Sequence, residues 1–200
     1  MHLLVLVASM WWTAPAAAGP GIAHPLRFVR EHIEIELDGT SILVDGDYTF
    51  RSITDQPARA LLLYPFPLGP GMRPPTQIEV DGAAYAVGAR GLVLEMAGDV
   101  PGGESVVHIH YRQRVAGTRA QYILTTTRSW DRPLEQADIR IRFPAAWRTL
   151  RVSYPGDEIE AAHGLRQYVI RQTGFWPDHD LQLRWTSRDR GVARSQRGSR

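Results

Sequence analysis

Between Glu31 and Leu37 the chain alternates without a break. Ile33, Ile35 and Leu37 fall on one side, and His32, Glu34 and Glu36 on the other. A two-residue period predicts a half-buried strand. Asp38-Gly39 follows as a hairpin turn signal, because glycine accepts positive φ. The partner run places Ile42, Val44, Tyr48 and Phe50 on one parity, with Asp45 and Asp47 opposite. Gly46 sits on the apolar parity, which predicts a bulge or a close backbone contact. Ala60–Tyr64 is continuously apolar, the pattern of a strand buried on both faces. Three prolines then fall within residues 65–70, and a chain lacking those N–H groups leaves the sheet.

The same style continues to residue 185. Ile78-Glu79-Val80 runs into Asp81-Gly82, a second hairpin signal, and Leu92–Met96 forms another strand. Val107, Ile109 and Tyr111 alternate after the Pro101–Glu104 turn, and Gln121–Thr127 is rich in β-branched residues. Ile139, Ile141 and Phe143, then Leu150, Val152 and Tyr154, then Tyr168 and Ile170, then Leu181, Leu183 and Trp185 repeat the alternation. No stretch of ten residues carries a 3.6-residue stripe, and Glu158–His163 offers one helical turn at most. About eleven strands separated by turns predict an all-β antiparallel sandwich, or two packed sandwiches. The expected organisation is a β-sandwich domain over 24–115, a second β subdomain over 116–185, and a disordered basic tail over 186–200.

At the N-terminus, Leu3–Trp12 is an apolar run followed by Ala16-Ala17-Ala18, an A-x-A pattern that predicts a signal peptide over 1–18. The run is shorter than the ~18–20 residues a spanning helix needs. The leading segment carries no Lys or Arg, so either the true start lies upstream or the signal is atypical, and a buried N-terminal helix is the competing reading. No other run is long enough to span, so no transmembrane segment is expected after signal removal, and the expected compartment is periplasmic or extracellular.

Charge narrows the partners. The 23 basic residues of this 200-residue chain are all arginine, and its net charge is +2. Residues 186–200 carry five Arg and one Asp, which leaves −2 on residues 1–185. A basic folded surface for nucleic acid is therefore not expected. With no cysteine, disulfides, thiolate sites, a Cys nucleophile and a lipoprotein anchor are excluded.

A resemblance emerges from the order of motifs. Tyr48-x-Phe50-Arg51-Ser52, then Tyr64-Pro65-Phe66-Pro67-Leu68, then Ile78-x-Val80-Asp81-Gly82 resembles the VIT (vault protein inter-alpha-trypsin) type of β-sandwich. Pro101–Glu104 leading to Val107, Ile109 and Tyr111 is similar to the late strands of such domains. Tyr122–Thr126 and Trp130–Leu134 resemble bacterial exported proteins that share the F-P-L-P feature. The resemblance spans about residues 30–155. It implies an immunoglobulin-like or VIT-like sandwich and brings no catalytic residues with it.

Candidate chemistry is sparse. His108 and His110 stand two apart on one strand face and can ligate one zinc or copper ion if His32, Glu34 or Glu36 supplies a third ligand. The competing reading is an exposed polar face that includes Val106. Asp178-His179-Asp180 could hold a general base or form a turn before the last strand. No G-x-S-x-G elbow is present, and Gly69-Pro70-Gly71 lacks the Lys of a phosphate loop. Glu34 and Glu36 could mimic a glycosidase pair but are same-strand neighbours facing solvent. Trp185 lies on a core parity, whereas Trp130 and Trp176 flank turns and are candidates for a binding edge.

These readings converge on an exported, non-catalytic module with no cofactor. Its expected partner is a protein or envelope polymer, and metal binding or carbohydrate binding are the alternatives.

Overall fold

The computed structural model describes residues 25–69, 71–86, 91–98, 100–160 and 163–187. The expected signal peptide, and the basic tail from residue 188 onward, lie outside these residues. The chain forms an all-β sandwich. Its strands are β1 (Leu26–Leu37), β2 (Ser41–Ser52), β3 (Ala58–Tyr64), β4 (Gln77–Val80), β5 (Ala83–Ala84), β6 (Leu92–Gly98) and β7 (Glu104–Arg114). They continue as β8 (Arg119–Tyr122), β9 (Leu134–Pro144), β10 (Trp147–Val152), β11 (Asp157–Glu160), β12 (Leu165–Phe175) and β13 (Leu181–Ser187). A 3₁₀ segment, Thr125–Trp130, separates β8 from β9. Among the described residues no helix is long and apolar enough to cross a membrane.

One layer is an eight-stranded sheet in the order β11-β12-β9-β1-β2-β7-β4-β5. All its pairings are antiparallel except β1 with β9, which is parallel. The other layer is split into a three-stranded sheet, β10-β13-β8, and a two-stranded sheet, β3-β6. Residues on both sides of Ala116 share the large sheet, because β9 and β12 extend it beyond β1. A single buried cluster draws on all three sheets. The division expected near residue 116 therefore falls inside one core. Thr186 and Ser187, placed in the tail by sequence, close β13.

The turns follow from their residues. Asp38 caps the β1–β2 hairpin: its carboxylate accepts from the Thr40 and Ser41 N–H groups at 2.7 and 2.6 Å, beside Gly39 at φ 93°. Burial alone would push the Asp38 acid up, but the bonds from Ser41 and Thr40 hold it down at about 2. Asp81 and Gly82 both adopt positive φ, 49° and 80°, the backbone a tight β4–β5 turn requires.

Three segments depart from the sequence expectation. Leu61 and Leu63 are 71% and 50% exposed, so β3 buries one face only, through Leu62 and Tyr64; among the described residues no layer lies outside its two-stranded sheet. Glu158–Glu160, expected at most as a helical turn, belongs to the exposed edge strand β11. The β-branched run after Tyr122 leaves the sheet at Ile123 and becomes 3₁₀, for a reason given below.

Gly46 involves no bulge. It stays in register between Ile33 and Ile109, and the Tyr48 ring lies across it. A Cβ there would come within 2.5 Å of the Tyr48 hydroxyl. Gly46→Ala is therefore expected to displace Tyr48 and cost about 1–3 kcal/mol, the usual range for overpacking a core. Urea denaturation measures this, and an unchanged midpoint would show that the ring is free to move aside.

Candidate functional site

The split in the second layer leaves a cavity among the described residues. No ladder among the described residues joins β3 to β8. Tyr64 of β3 and Tyr122 of β8 meet across the gap, their hydroxyls 3.2 Å apart. Beyond that point the gap between β3 and the 3₁₀ segment opens into a cavity of about 330 Å³. That volume lies at the lower end of the range for small-molecule sites. Leu61–Pro65 form one wall and residues 122–130 the other, while Phe28, Glu31, Tyr48 and Phe50 of the large sheet form the floor.

Glu31 reaches this floor through a bulge. The β1–β2 register shifts between Phe28 and Arg30, so Phe28 and Glu31 both face inward and Glu31 pairs with Tyr48. The Glu31 side chain is 4% exposed and its Oε1 has no hydrogen-bond partner. Burial, with no opposing charge, pushes the carboxyl up to about 8. Buried acids ordinarily find partners, so an orphaned carboxyl facing a cavity marks a site.

The surrounding groups are aromatic. Phe28 stacks on Phe50 at 4.9 Å, and Trp130 lies against Phe50 and Phe28 at 5.2 and 6.2 Å. The Tyr48 hydroxyl contacts those of Tyr64 and Tyr122 at 2.8 and 2.7 Å, closing a three-membered ring of hydroxyls. Burial pushes all three phenols above their ordinary range, so they stay protonated. Each hydroxyl can then donate once and accept once within the ring; Tyr111 bonds to Tyr64 as well, so the lone pairs left for a further donor are those of Tyr48 and Tyr122.

The 3₁₀ segment is held by Asp180. Its Oδ1 accepts from Leu124 N, Thr125 N and Thr125 Oγ at 3.1, 3.0 and 2.8 Å, and its Oδ2 accepts from Gln121 Nε2 at 2.8 Å. Backbone groups that would extend β8 are thus drawn to a side chain, which overrides the β-propensity of the threonines. Burial raises the Asp180 acid, but the bonds from Thr125, Gln121 and Leu124 win and lower it. Neighbouring Asp178 pairs with His179 Nδ1 at 2.5 Å, and the His179 ring stacks on Tyr154 at 4.3 Å. The cluster suspected of base chemistry thus anchors a loop through Asp180.

The two tryptophans part company. Trp130 is half-buried at the cavity, whereas Trp176 is 36% exposed with the Arg128 guanidinium 5.5 Å from its ring. His108 and His110 lie elsewhere, on the outer face of the large sheet. His108 Nδ1 meets Asp47 at 2.8 Å and His110 Nδ1 meets Asp45 at 3.1 Å. The Asp47 bond, against some burial and with help from Asp45 and Asp81, raises the His108 imidazole. Glu34 is engaged by Arg142 and His32 sits 3.7 Å from Asp138. Among the described residues no three His, Asp or Glu side chains gather as a metal would require. Sequence reading did not single out Glu31 or the tyrosines, although Glu31 shares the parity of Ile33 and Ile35, a signal present in the alternation itself.

The fold and this site define a mixed β-sandwich with a cleft in its divided second layer. No protein-family model matches the chain, and no curated protein matches it. Among solved structures it is similar to a candidate nutrient-binding protein from Legionella pneumophila, with a TM-score of 0.60 and 14% identity over 84% of this chain and 68% of that one. A weaker likeness, TM-score 0.45 at 14% identity, is to an M1 zinc metallopeptidase from Deinococcus radiodurans, over 80% of this chain and 42% of the enzyme. These likenesses concern the fold.

Proposed function

We propose that this chain is an exported, non-catalytic binding module of the bacterial envelope. In this reading the cleft between β3 and the 3₁₀ segment receives part of a protein or envelope-polymer partner. The observation that carries it is Glu31, an acid with an unpartnered oxygen on the floor of an aromatic cavity. A group kept in that state lowers stability, and such costs persist where they serve binding. The apolar run Leu3–Trp12 and its A-x-A site support export. The exposed Leu61, Leu63 and Val93 on the outside of the β3-β6 sheet add apolar surface beside the cleft, as interaction sites commonly have.

Fluorine NMR of protein carrying 5-fluorotryptophan tests the location. A panel of glycans, peptides and amines is expected to contain binders that move the Trp130 line while leaving Trp176 in place. Thr126→Trp, which crowds the wall of the cavity, is expected to abolish the shift. Binders that move Trp176 alone, or a panel that never moves Trp130, would overturn this reading.

A further inference from the structure

We infer that the cleft is an organic-cation site, in which a protonated primary amine sits between the Glu31 carboxylate and the aromatic walls formed by Phe28, Phe50 and Trp130. This rests on the cleft being the binding site and names the chemistry it takes.

The argument is one of elimination by charge and shape. Among the described residues that line the cavity with Glu31 there is no cation, and no charged partner offsets its burial. The phenols of Tyr48 on β2, Tyr122 on β8 and Tyr154 beyond β10 lie within range of its charge, and Tyr64 on β3 lines the same cavity. On β9 its neighbour is Ala137. An anion would meet an acid and the negative faces of aromatic rings, and both oppose it. A neutral ligand would gain one hydrogen bond and leave the acid otherwise as it is. An ammonium gains the ion pair, places its charge against ring faces, and supplies the protons that the spare lone pairs on the tyrosine hydroxyls accept. A metal ion is a poor fit, because among the described lining residues Glu31 is the single carboxylate and the walls are mostly apolar.

Proton linkage gives the inference a signature. In the empty cleft Glu31 holds its proton until about pH 8. Binding an ammonium requires the carboxylate, so near neutral pH each binding event releases close to one proton. Affinity then rises about tenfold per pH unit from pH 6 to pH 8 and levels off above, until the amine itself deprotonates near ~10.

Isothermal titration of the full chain with benzylammonium, benzyl alcohol and benzoate tests it, in buffers of differing ionisation enthalpy. The expected result is binding of benzylammonium with proton release and the stated pH slope, and at least 100-fold weaker binding of the other two. Glu31→Gln is expected to lose at least 100-fold in affinity and all of the slope. Glu31→Leu, which suits an apolar floor, is a second folded control with the same expectation. An N-acetylated lysine peptide that competes identifies a side chain on a partner as the source of the amine, and one that does not identifies a free amine. Equal binding of benzyl alcohol, or an unaffected Glu31→Gln, overturns the inference. If benzylammonium fails while glycans or peptides still move the Trp130 line, the cation assignment falls and the cleft stands. If nothing moves that line, both fall.

Discussion

Glu31→Gln is expected to make the protein more stable at pH 8 and above, and to remove most of the pH dependence of its stability between pH 4.5 and 8. The sign follows from linkage. In the unfolded chain Glu31 ionises near its ordinary value of 4.5, whereas burial holds it protonated in the fold to about 8. Between those limits the folded state carries a proton that the unfolded state lacks, so stability falls as pH rises. The contribution is complete below pH 4.5 and lost once pH passes 8. At about 1.4 kcal/mol per pH unit the interval amounts to on the order of 5 kcal/mol. A glutamine cannot ionise, and a buried amide without partners costs about what a neutral acid does, so the variant keeps what the wild type loses. His108, also raised, pulls stability the same way above pH 6.5. The wild-type-minus-variant difference in urea midpoints removes that shared contribution. Parallel pH curves for the two proteins would show that solvent or an unrecognised partner reaches the carboxyl.

A stability cost of that size on the floor of a cavity bears on selection. Replacing one glutamate by leucine would remove it, and the surrounding Phe28, Tyr48 and Phe50 would accept an aliphatic side chain. A sequence that keeps the acid is locally inconsistent with its own core, and such inconsistencies concentrate at working sites.

The strand framework was legible because burial of one face per strand writes period two into the chain, and β1, β2, β7, β9 and β13 keep it almost without exception. The hairpins at Asp38-Gly39 and Asp81-Gly82 were legible from turn chemistry alone. The split of the second layer was not. Ala60–Tyr64 reads as a two-face-buried strand because Leu61 and Leu63 are apolar, and nothing local says that their face is left exposed. The parallel β1–β9 pairing was hidden as well, since alternation fixes which residues face inward and leaves the choice of neighbouring strand open. At the site, Trp130 could be singled out as an aromatic beside a turn. Glu31 could have been found by its parity with Ile33, but the bulge at Phe28–Arg30 disguises the register on its other side. The tyrosine ring joins residues 48, 64 and 122, a long-range convergence that single-strand patterns do not encode.

Asp180→Ala is expected to lower stability by about 3 kcal/mol and, in a domain of this size, to drop the melting temperature by about 6–12 °C. The aspartate satisfies two backbone N–H groups, a hydroxyl and an amide that would otherwise lose their acceptor, three of them through Oδ1. That distribution predicts a sharp contrast with asparagine. An Asn oxygen placed where Oδ1 lies keeps the bonds from Leu124, Thr125 N and Thr125 Oγ, and Gln121 can turn its amide to present an oxygen to the new NH₂. Asp180→Asn is therefore expected to cost about 1 kcal/mol, while Asp178→Ala, at an exposed carboxyl, stays within about 0.5 kcal/mol. Because the lowered Asp180 acid stabilises the fold only while ionised, the gap between wild type and Asp180→Ala is expected to close as pH falls below the ordinary Asp range. The damage also has a direction. The 3₁₀ segment held by Asp180 carries Thr126, Thr127, Ser129 and Trp130 to the cavity wall. Loosening it should blunt the near-ultraviolet circular dichroism of Trp130 packed on Phe28 and Phe50 before global unfolding begins. An Asp180→Ala variant that loses stability with its tryptophan signal intact until the main transition would show that the segment is held by its aromatic contacts, with the carboxylate serving only β13.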